Sequence, residues 1–194
     1  MLSESLKNVV SSALDWKSLP LPIYTLFSLL QECSKKNTNI STCRWAFSLL
    51  VTSGLDSNAF LGDHAIRMFA SCGSLEEAKQ AFYKVADKSV YTWNALISAH
   101  AKLGQRNKAL EHFNHMLKDG VEPDKFVISC LLKICGDLDV LYKARLMHHH
   151  MAYTGLSSDV VLGNSLLYAY AKCGELCDMW DVFCALRVQD LVAW

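Results

Sequence analysis

The chain has 194 residues, of which 52% are hydrophobic and 20% are charged, and its 19 basic and 19 acidic side chains cancel to a formal net charge of zero. Balanced charge argues against indiscriminate nucleic-acid binding, because such affinity comes mainly from neutralising phosphates, but it leaves room for a locally basic groove. No uninterrupted apolar stretch reaches the roughly 18 residues that a membrane-spanning helix needs, so we expect no membrane partner.

The first 23 residues form an N-terminal segment. Residues 1–20 contain five serines and two lysines but no arginine, and they include Glu4 and Asp15. Organelle transit peptides are typically rich in Arg and Ser and poor in acidic residues. The segment therefore fits either a weak targeting signal or an incomplete helix pair, and its residues favour neither.

After this segment the chain repeats itself with a constant offset. Residues 61–62 (LG) correspond to residues 162–163 (LG), and residues 70–73 (ASCG) correspond to residues 171–174 (AKCG), 101 positions later in each case. Turn glycines and small residues divide the chain into blocks of 35, 31, 35, 35 and 31 residues. These blocks are 24–58, 59–89, 90–124, 125–159 and 160–190, and residues 191–194 begin a sixth. Such internal periods indicate a repeat protein.

The pattern inside each block is typical of two amphipathic helices. In block 90–124, apolar residues at helical spacing run from Trp93 to Ala101 and again from Ala109 to Leu117,. Residues 120–123 (GVEP) then predict a break, because Gly ends helices and Pro cannot continue them,. No window alternates with a period of two, so strands are not expected. Helix pairs this short bury their apolar faces only by stacking, which predicts an all-α fold of the α-solenoid class.

The strings that open and close block 90–124 distinguish between two families of helical repeats. Tetratricopeptide repeats have about 34 residues and a Trp-Leu-Gly-Tyr signature. This sequence lacks that signature, and its 31-residue blocks do not fit a tetratricopeptide repeat. Residues 90–97 (VYTWNALI) and 116–124 (MLKDGVEPD) instead resemble the start and the end of a standard pentatricopeptide repeat (PPR). The resemblance covers about residues 22–194 and implies a right-handed superhelix of helix-turn-helix repeats.

The remaining blocks resemble the length variants of the PPR family. Blocks 59–89 and 160–190, which carry Ala-x-Cys-Gly-x-Leu, resemble the short variant. Blocks 24–58 and 125–159, which carry Leu-Leu-x-x-Cys, resemble the long variant. This alternation is similar to that of the plant PLS subclass, whose members mostly recognise organelle transcripts for C-to-U editing. It implies single-stranded organellar RNA as the partner, in the mitochondrion or the chloroplast, with the mitochondrion slightly favoured.

The resemblance also implies that each repeat reads one base with two side chains. The selectors, which lie on the first helix of each repeat, would be Ser28, Asp63, Asn94, Ser129 and Asn164. Their companions, which end the repeats, would be Asn58, Ser89, Asp124, Asp159 and Asp190.

By family analogy, each combination of selector and companion favours one base. Asn with Asp favours U, Ser with Asp favours G, and Ser with Asn favours A, which together imply a preference for 5′-A-n-U-G-U-3′. The code is less dependable in long-variant repeats, where the predicted A and G lie. The pair Asp63/Ser89 departs from the usual combinations, so its base stays unassigned.

The residue three places before each selector would clamp the base against its neighbour. These residues are Thr25, Phe60, Tyr91, Phe126 and Val161, of which Thr25 offers the poorest platform. Stacking on such side chains is worth roughly 1–3 kcal/mol per base. The alternative is that the same side chains only pack neighbouring repeats together, and periodicity alone does not separate the two interpretations.

Three lysines recur eight residues after a selector, namely Lys36, Lys102 and Lys172. They would contact phosphates, which reconciles RNA affinity with zero net charge. Alternatively they are solvated residues that complement the helix dipole. Asp137 occupies the same place in block 125–159, so a basic stripe would be interrupted there.

Metal and cofactor sites are not expected. Consecutive helical residues point about 100° apart, so His148, His149 and His150 cannot converge on one ion,. The 8 cysteines include no C-x-x-C pair, and most lie among apolar residues, which favours packed thiols in a reducing compartment,. Cys173 and Cys177 lack two further ligands, although a regulatory thiol there stays an alternative.

Motifs of catalysis are missing from the sequence. It contains no H-x-E with C-x-x-C deaminase signature, no P-loop, no G-x-S-x-G elbow and no Rossmann glycine run,. We therefore expect an RNA-binding protein without enzymatic activity or small-molecule substrate, with editing-complex proteins, including a deaminase supplied in trans, as possible partners. A catalytic domain could follow in a longer parent chain. The alternatives are a protein-interaction scaffold and a factor for RNA stabilisation or splicing.

Overall fold

The structure is a computed structural model that describes residues 21–35 and 38–186, and all regular structure in these ranges is helical. This confirms the predicted all-α class. The N-terminal residues 1–20, Lys36, Asp190 and the beginning of the sixth block lie outside the described residues.

Ten α-helices follow one another in the described part of the chain. They are α1 (Ile23–Cys33), α2 (Ile40–Thr52), α3 (Ala59–Ser71), α4 (Leu75–Lys84), α5 (Val90–Lys102), α6 (Arg106–Lys118), α7 (Lys125–Leu138), α8 (Leu141–Tyr153), α9 (Val160–Lys172) and α10 (Leu176–Ala185). A short 3₁₀ turn, Leu156–Ser158, precedes α9. The helices fall into two compact units, one ending at Met116 and the other beginning at Leu117.

In the first unit, the first helices of successive pairs pack side by side. Helix α3 lies between α1 and α5, and α2 and α4 cover the layer that these three helices form. Leu29, Leu61, Ile66 and Leu96 are completely buried in the resulting core. Helix α1 contacts both α2 and α3, which explains why its apolar residues form one face,.

The second unit has the same arrangement. Helix α7 packs along α9, α8 contacts both of these helices, and α10 contacts α9. Ile128, Leu132 and Leu166 are completely buried, and Tyr170 is 1% exposed.

The repeated Leu-Gly string has a packing reason. A Cβ atom at Gly62 would collide with the side chain of Val85, and one at Gly163 would collide with Leu186. Val85 and Leu186 follow the second helix of their pairs and are buried. Because glycine has no Cβ atom, the residue that follows the second helix can pack against the first helix. The two Leu-Gly strings, 101 residues apart, therefore mark the same packing contact in the two units.

A buried pair of histidines lies between α5 and α6. Nε2 of His112 is 3.1 Å from Nε2 of His100, and Nδ1 of His100 is 3.2 Å from Oε1 of Gln105. Burial, helped by the neighbouring His100, lowers the pKa of His112 to about 4. Burial also lowers the pKa of His100, which is completely enclosed.

We expect this pair to make the first unit less stable in mild acid. An unfolded histidine has a pKa near 6.5, whereas folded His112 takes up a proton only near pH 4. Between these values the unfolded state binds more protons, so stability falls as the pH falls through that window. Thermal unfolding at pH 7, 6 and 5 should show this loss, and His112→Gln should reduce it. Replacing the exposed His149 by Gln is the control, and an equal effect of both variants would contradict the assignment.

Candidate nucleic-acid interface

The five predicted selectors all lie on first helices. They are Ser28 on α1, Asp63 on α3, Asn94 on α5, Ser129 on α7 and Asn164 on α9. Four of them are half-buried, and Asp63 is only 9% exposed. Each polar group therefore has to satisfy part of its hydrogen bonding inside the protein.

Both serine selectors use their single proton internally. The Ser28 hydroxyl donates to the backbone oxygen of Tyr24 at 2.9 Å. Oγ of Ser129 is 2.8 Å from Oγ of Ser165, and the Ser165 hydroxyl donates to the backbone oxygen of Val161 at 2.9 Å, so Ser129 must be the donor between them. A hydroxyl has one proton and two lone pairs. Towards a base, Ser28 and Ser129 can consequently only accept hydrogen bonds.

The asparagine selectors turn their oxygens inwards. The Ser98 hydroxyl donates to Oδ1 of Asn94 at 3.0 Å. Oδ1 of Asn164 is buried as well. A side-chain amide has an acceptor end and a donor end, so the group that Asn94 offers to a base is its NH₂, a hydrogen-bond donor.

Asp63 is the charged member of the set. The Thr92 hydroxyl on α5 and the Arg67 guanidinium each act to lower the pKa of its carboxyl group. Burial acts in the opposite direction and is stronger, so the pKa of Asp63 is raised above its usual value.

The companion residues have a structural role that the sequence analysis missed. Four of them are N-caps, whose side-chain oxygens accept hydrogen bonds from backbone N–H groups in the first turn of the following helix. These are Asn58 for α3, Ser89 for α5, Asp124 for α7 and Asp159 for α9. Asn, Asp and Ser are the residue types that N-caps prefer. Capping alone therefore explains the residue types at these positions. Because helix N-termini prefer Asn, Asp and Ser, the sequence itself could have revealed this capping role.

We expect capping and base reading to be separable at Asp124, whose Oδ1 accepts from the amides of Phe126 at 3.0 Å and Val127 at 2.9 Å. Asp124→Ala should cost about 1 kcal/mol of helix stability, whereas Asp124→Ser should retain the cap. The measurement is hydrogen exchange at the amides of Phe126 and Val127, which should become faster in the alanine variant only. Equal exchange in both variants would contradict the capping role.

The predicted clamp residues are largely exposed. Phe60 is 51%, Tyr91 57%, Phe126 60% and Val161 67% exposed, while Thr25 is half-buried. In the first unit, the Phe60 ring lies 5.2 Å from Phe27 and 5.0 Å from His64, measured between ring centroids. Packing between helices does not require side chains this exposed, so the apolar surface has room for a ligand.

The described lysines of the predicted phosphate set end their helices. Lys102 is the last residue of α5 and Lys172 the last residue of α9, and both are exposed. The Lys172 ammonium is 5.8 Å from the centroid of the Tyr168 ring, whose hydroxyl donates to Asp137 at 2.7 Å. These positions suit phosphate contacts and the helix dipole equally well.

Within the described ranges, no group of three or more His, Cys, Asp or Glu side chains could hold a metal ion. Nδ1 of His148 is instead 2.9 Å from the hydroxyl of Tyr170. The eight cysteines all lie in the described ranges and form no disulfide bond, and Cys177 and Cys184 are exposed. No helix in the same ranges is long and apolar enough to cross a membrane.

Sequence comparisons lead to one family. The PPR repeat family matches residues 88–137. A chloroplastic pentatricopeptide repeat-containing protein of Arabidopsis thaliana is 34% identical over 142 residues, which are 72% of this chain and 27% of that protein. A mitochondrial one is 33% identical over 144 residues, which are 74% of this chain and 23% of that protein. The chain thus spans only 27% and 23% of the length of these two relatives.

Solved structures show the same fold. The pentatricopeptide repeat protein PPR10, solved in complex with an 18-nt psaJ RNA element, matches with a TM-score of 0.69 and 18% identity, covering 91% of this chain and 26% of that chain. Nuclear proteinaceous RNase P 2 from A. thaliana matches with a TM-score of 0.54 and 20% identity, covering 77% of this chain and 38% of that chain. The predicted α-solenoid class is thereby confirmed. The sequence matches support the PPR repeat family as the family of this chain.

Proposed function

We propose that the chain binds single-stranded RNA and reads one base with each repeat. The observation that carries this proposal is the direction of the hydrogen bonds at the selectors. Ser28 and Ser129 offer acceptors, and Asn94 offers a donor. Bases differ in the same property, because the amino groups of purines donate whereas the carbonyl groups of uracil accept.

The hydrogen-bond directions at the selectors agree with the base preferences that the family analogy implies. An acceptor at Ser28 and Ser129 suits the amino groups of adenine and guanine, the two bases expected there. A donor at Asn94 suits a carbonyl oxygen of uracil, the base expected at the third position. The exposed Phe60 and Tyr91 side chains would hold bases by stacking,.

The wider role of the chain follows its relatives. Relatives are chloroplastic or mitochondrial, and PPR10 was solved with an RNA element, which supports organellar RNA as the ligand. Within that role we propose recognition of C-to-U editing sites in the manner of the PLS subclass, with the mitochondrion slightly favoured. The chain recognises the editing site, and a deaminase acts in trans as part of an editing complex.

Titration of short labelled RNAs tests base reading directly. We expect the chain to bind 5′-A-n-U-G-U-3′ about tenfold more tightly than RNAs with other bases at the third position, the discrimination that one good hydrogen-bonded base contact provides. Asn94→Ser should shift the preference at that position from U to G, because a serine whose proton is bonded within the helix only accepts.

The remaining outcomes of this titration are also informative. Binding should weaken as salt is raised if lysines meet phosphates. If the folded protein binds no RNA at moderate salt, the proposal is wrong, and a protein-interaction scaffold becomes the better interpretation.

A second titration tests the stacking surface. Tyr91→Ala should weaken RNA binding by roughly 1–3 kcal/mol, or about 5- to 150-fold, whereas Tyr91→Phe should retain most of the affinity. Tyr83 on α4 is the matched control, since it is a 70% exposed aromatic residue of the same unit on a second helix. Equal losses for Tyr83→Ala and Tyr91→Ala would contradict a specific clamp.

A further inference from the structure

The repeat of block 59–89 contains the one selector whose base the family analogy leaves open. Asp63 is also the only charged residue among the five selectors. Only 9% of the Asp63 surface is exposed. Its Oδ1 atom has no hydrogen-bond partner in the part of the chain that the structure describes. A buried acceptor without a donor is unfavourable, so a rotation that turns this carboxylate towards a donor on a ligand would be favoured.

Asp63 is connected to its own companion through Thr92. Thr92 is completely buried on α5, which packs along α3, and its hydroxyl lowers the pKa of the Asp63 carboxyl group. Oγ of Ser89 lies 3.1 Å from Oγ1 of Thr92 and accepts from the Thr92 amide at 3.3 Å. Because an ionised carboxylate only accepts and Thr92 lowers this pKa, we infer that the Thr92 hydroxyl points its proton towards Asp63 and that the Ser89 hydroxyl donates to Thr92,. Both hydroxyl protons are thereby used inside the protein.

The sequence pattern independently indicates that Thr92 interacts with Asp63. Thr92 lies two residues before the selector of its helix, and the residue at that place in each of the other four first helices is apolar. These residues are Leu26 in α1, Leu61 in α3, Val127 in α7 and Leu162 in α9, and all five positions are buried. A fully buried hydroxyl is costly without a partner. The one polar residue at this position thus faces the one charged selector.

We propose that this repeat selects guanine, with Asp63 as the base-contacting acceptor and Thr92 as a positioning residue that holds it. The proposal rests on the proposed RNA-binding function and extends the preferred sequence to 5′-A-G-U-G-U-3′. Phe60 lies three residues before Asp63 on the same face of α3, and Tyr91 adjoins Thr92, so a base held by these aromatic side chains would lie near the carboxylate,.

The hydrogen-bonding edges of the bases explain the choice. Guanine presents two neighbouring donors, N1–H and the N2 amino group, to a carboxylate that can only accept. Adenine and cytosine each present one amino group beside a ring nitrogen that accepts. Uracil presents one N–H between two carbonyl oxygens, which a carboxylate would repel. The group formed by Asp63, Thr92 and Ser89 offers acceptors alone, and guanine is the base that matches it best.

The test is a titration of the 194-residue chain with four RNAs, A-G-U-G-U, A-A-U-G-U, A-C-U-G-U and A-U-U-G-U. We expect the RNA with guanine at the second position to bind about tenfold more tightly than the others. Asp63→Asn should abolish this preference, because Thr92 would bond the amide oxygen and leave the NH₂ as a donor. Thr92→Val, which introduces the residue found at the same place in α7, should reduce the preference, and Thr92→Ser should restore it.

The preference for U at the third position is the internal control for folding and RNA binding. It should be unchanged in all three variants, whereas Asn94→Ser should change the third position and leave the second as it was. No RNA binding, or indifference at the third position, overturns the proposed function itself. Retained U selectivity with no guanine preference at the second position overturns the assignment to Asp63. A guanine preference that Thr92→Val leaves intact overturns the positioning role of Thr92.

Discussion

Since the first helices pack directly against one another within each unit, polar side chains near their contacts must find hydrogen-bond partners inside the protein,. Asp63 on α3 meets Thr92 on α5, and Ser129 on α7 meets Ser165 on α9. The partner takes up one side of each selector and leaves the other for a ligand. In the proposed function, this packing determines whether such a repeat presents a donor or an acceptor, and the base preference follows from that choice.

The same packing links stability to recognition. Companion residues such as Ser89 and Asp159 cap the first helices, and their oxygens are occupied by backbone amides. A substitution there changes the start of a helix as well as the environment of a base. The selectors Ser28 and Asn94 contribute less to helix packing, because they form their internal hydrogen bonds within their own helices. Changes at these two selectors should consequently alter base choice with smaller effects on folding.

Much of the fold could be predicted from the sequence, because periodicity and turn residues directly reflect helix packing. The Leu-Gly strings at residues 61–62 and 162–163 marked the repeat, and the structure explains them through Val85 and Leu186. The hydrogen-bond partners of the selectors could not be predicted, since Ser98 and Ser165 become their neighbours only through helix geometry and packing. Thr92 was visible as a polar residue in an apolar position, but its partner Asp63 lies 29 positions earlier.

The central claim is that internal hydrogen bonds set the base that a repeat prefers, and a reciprocal exchange tests it most directly. The double variant Asp63→Asn with Asn94→Asp keeps composition, side-chain size and net charge while exchanging donor and acceptor between α3 and α5. Binding would be measured with all sixteen RNAs that vary at the second and third positions. The account predicts that the preferences for G at the second position and U at the third change places. Unchanged preferences in a folded double variant would contradict it.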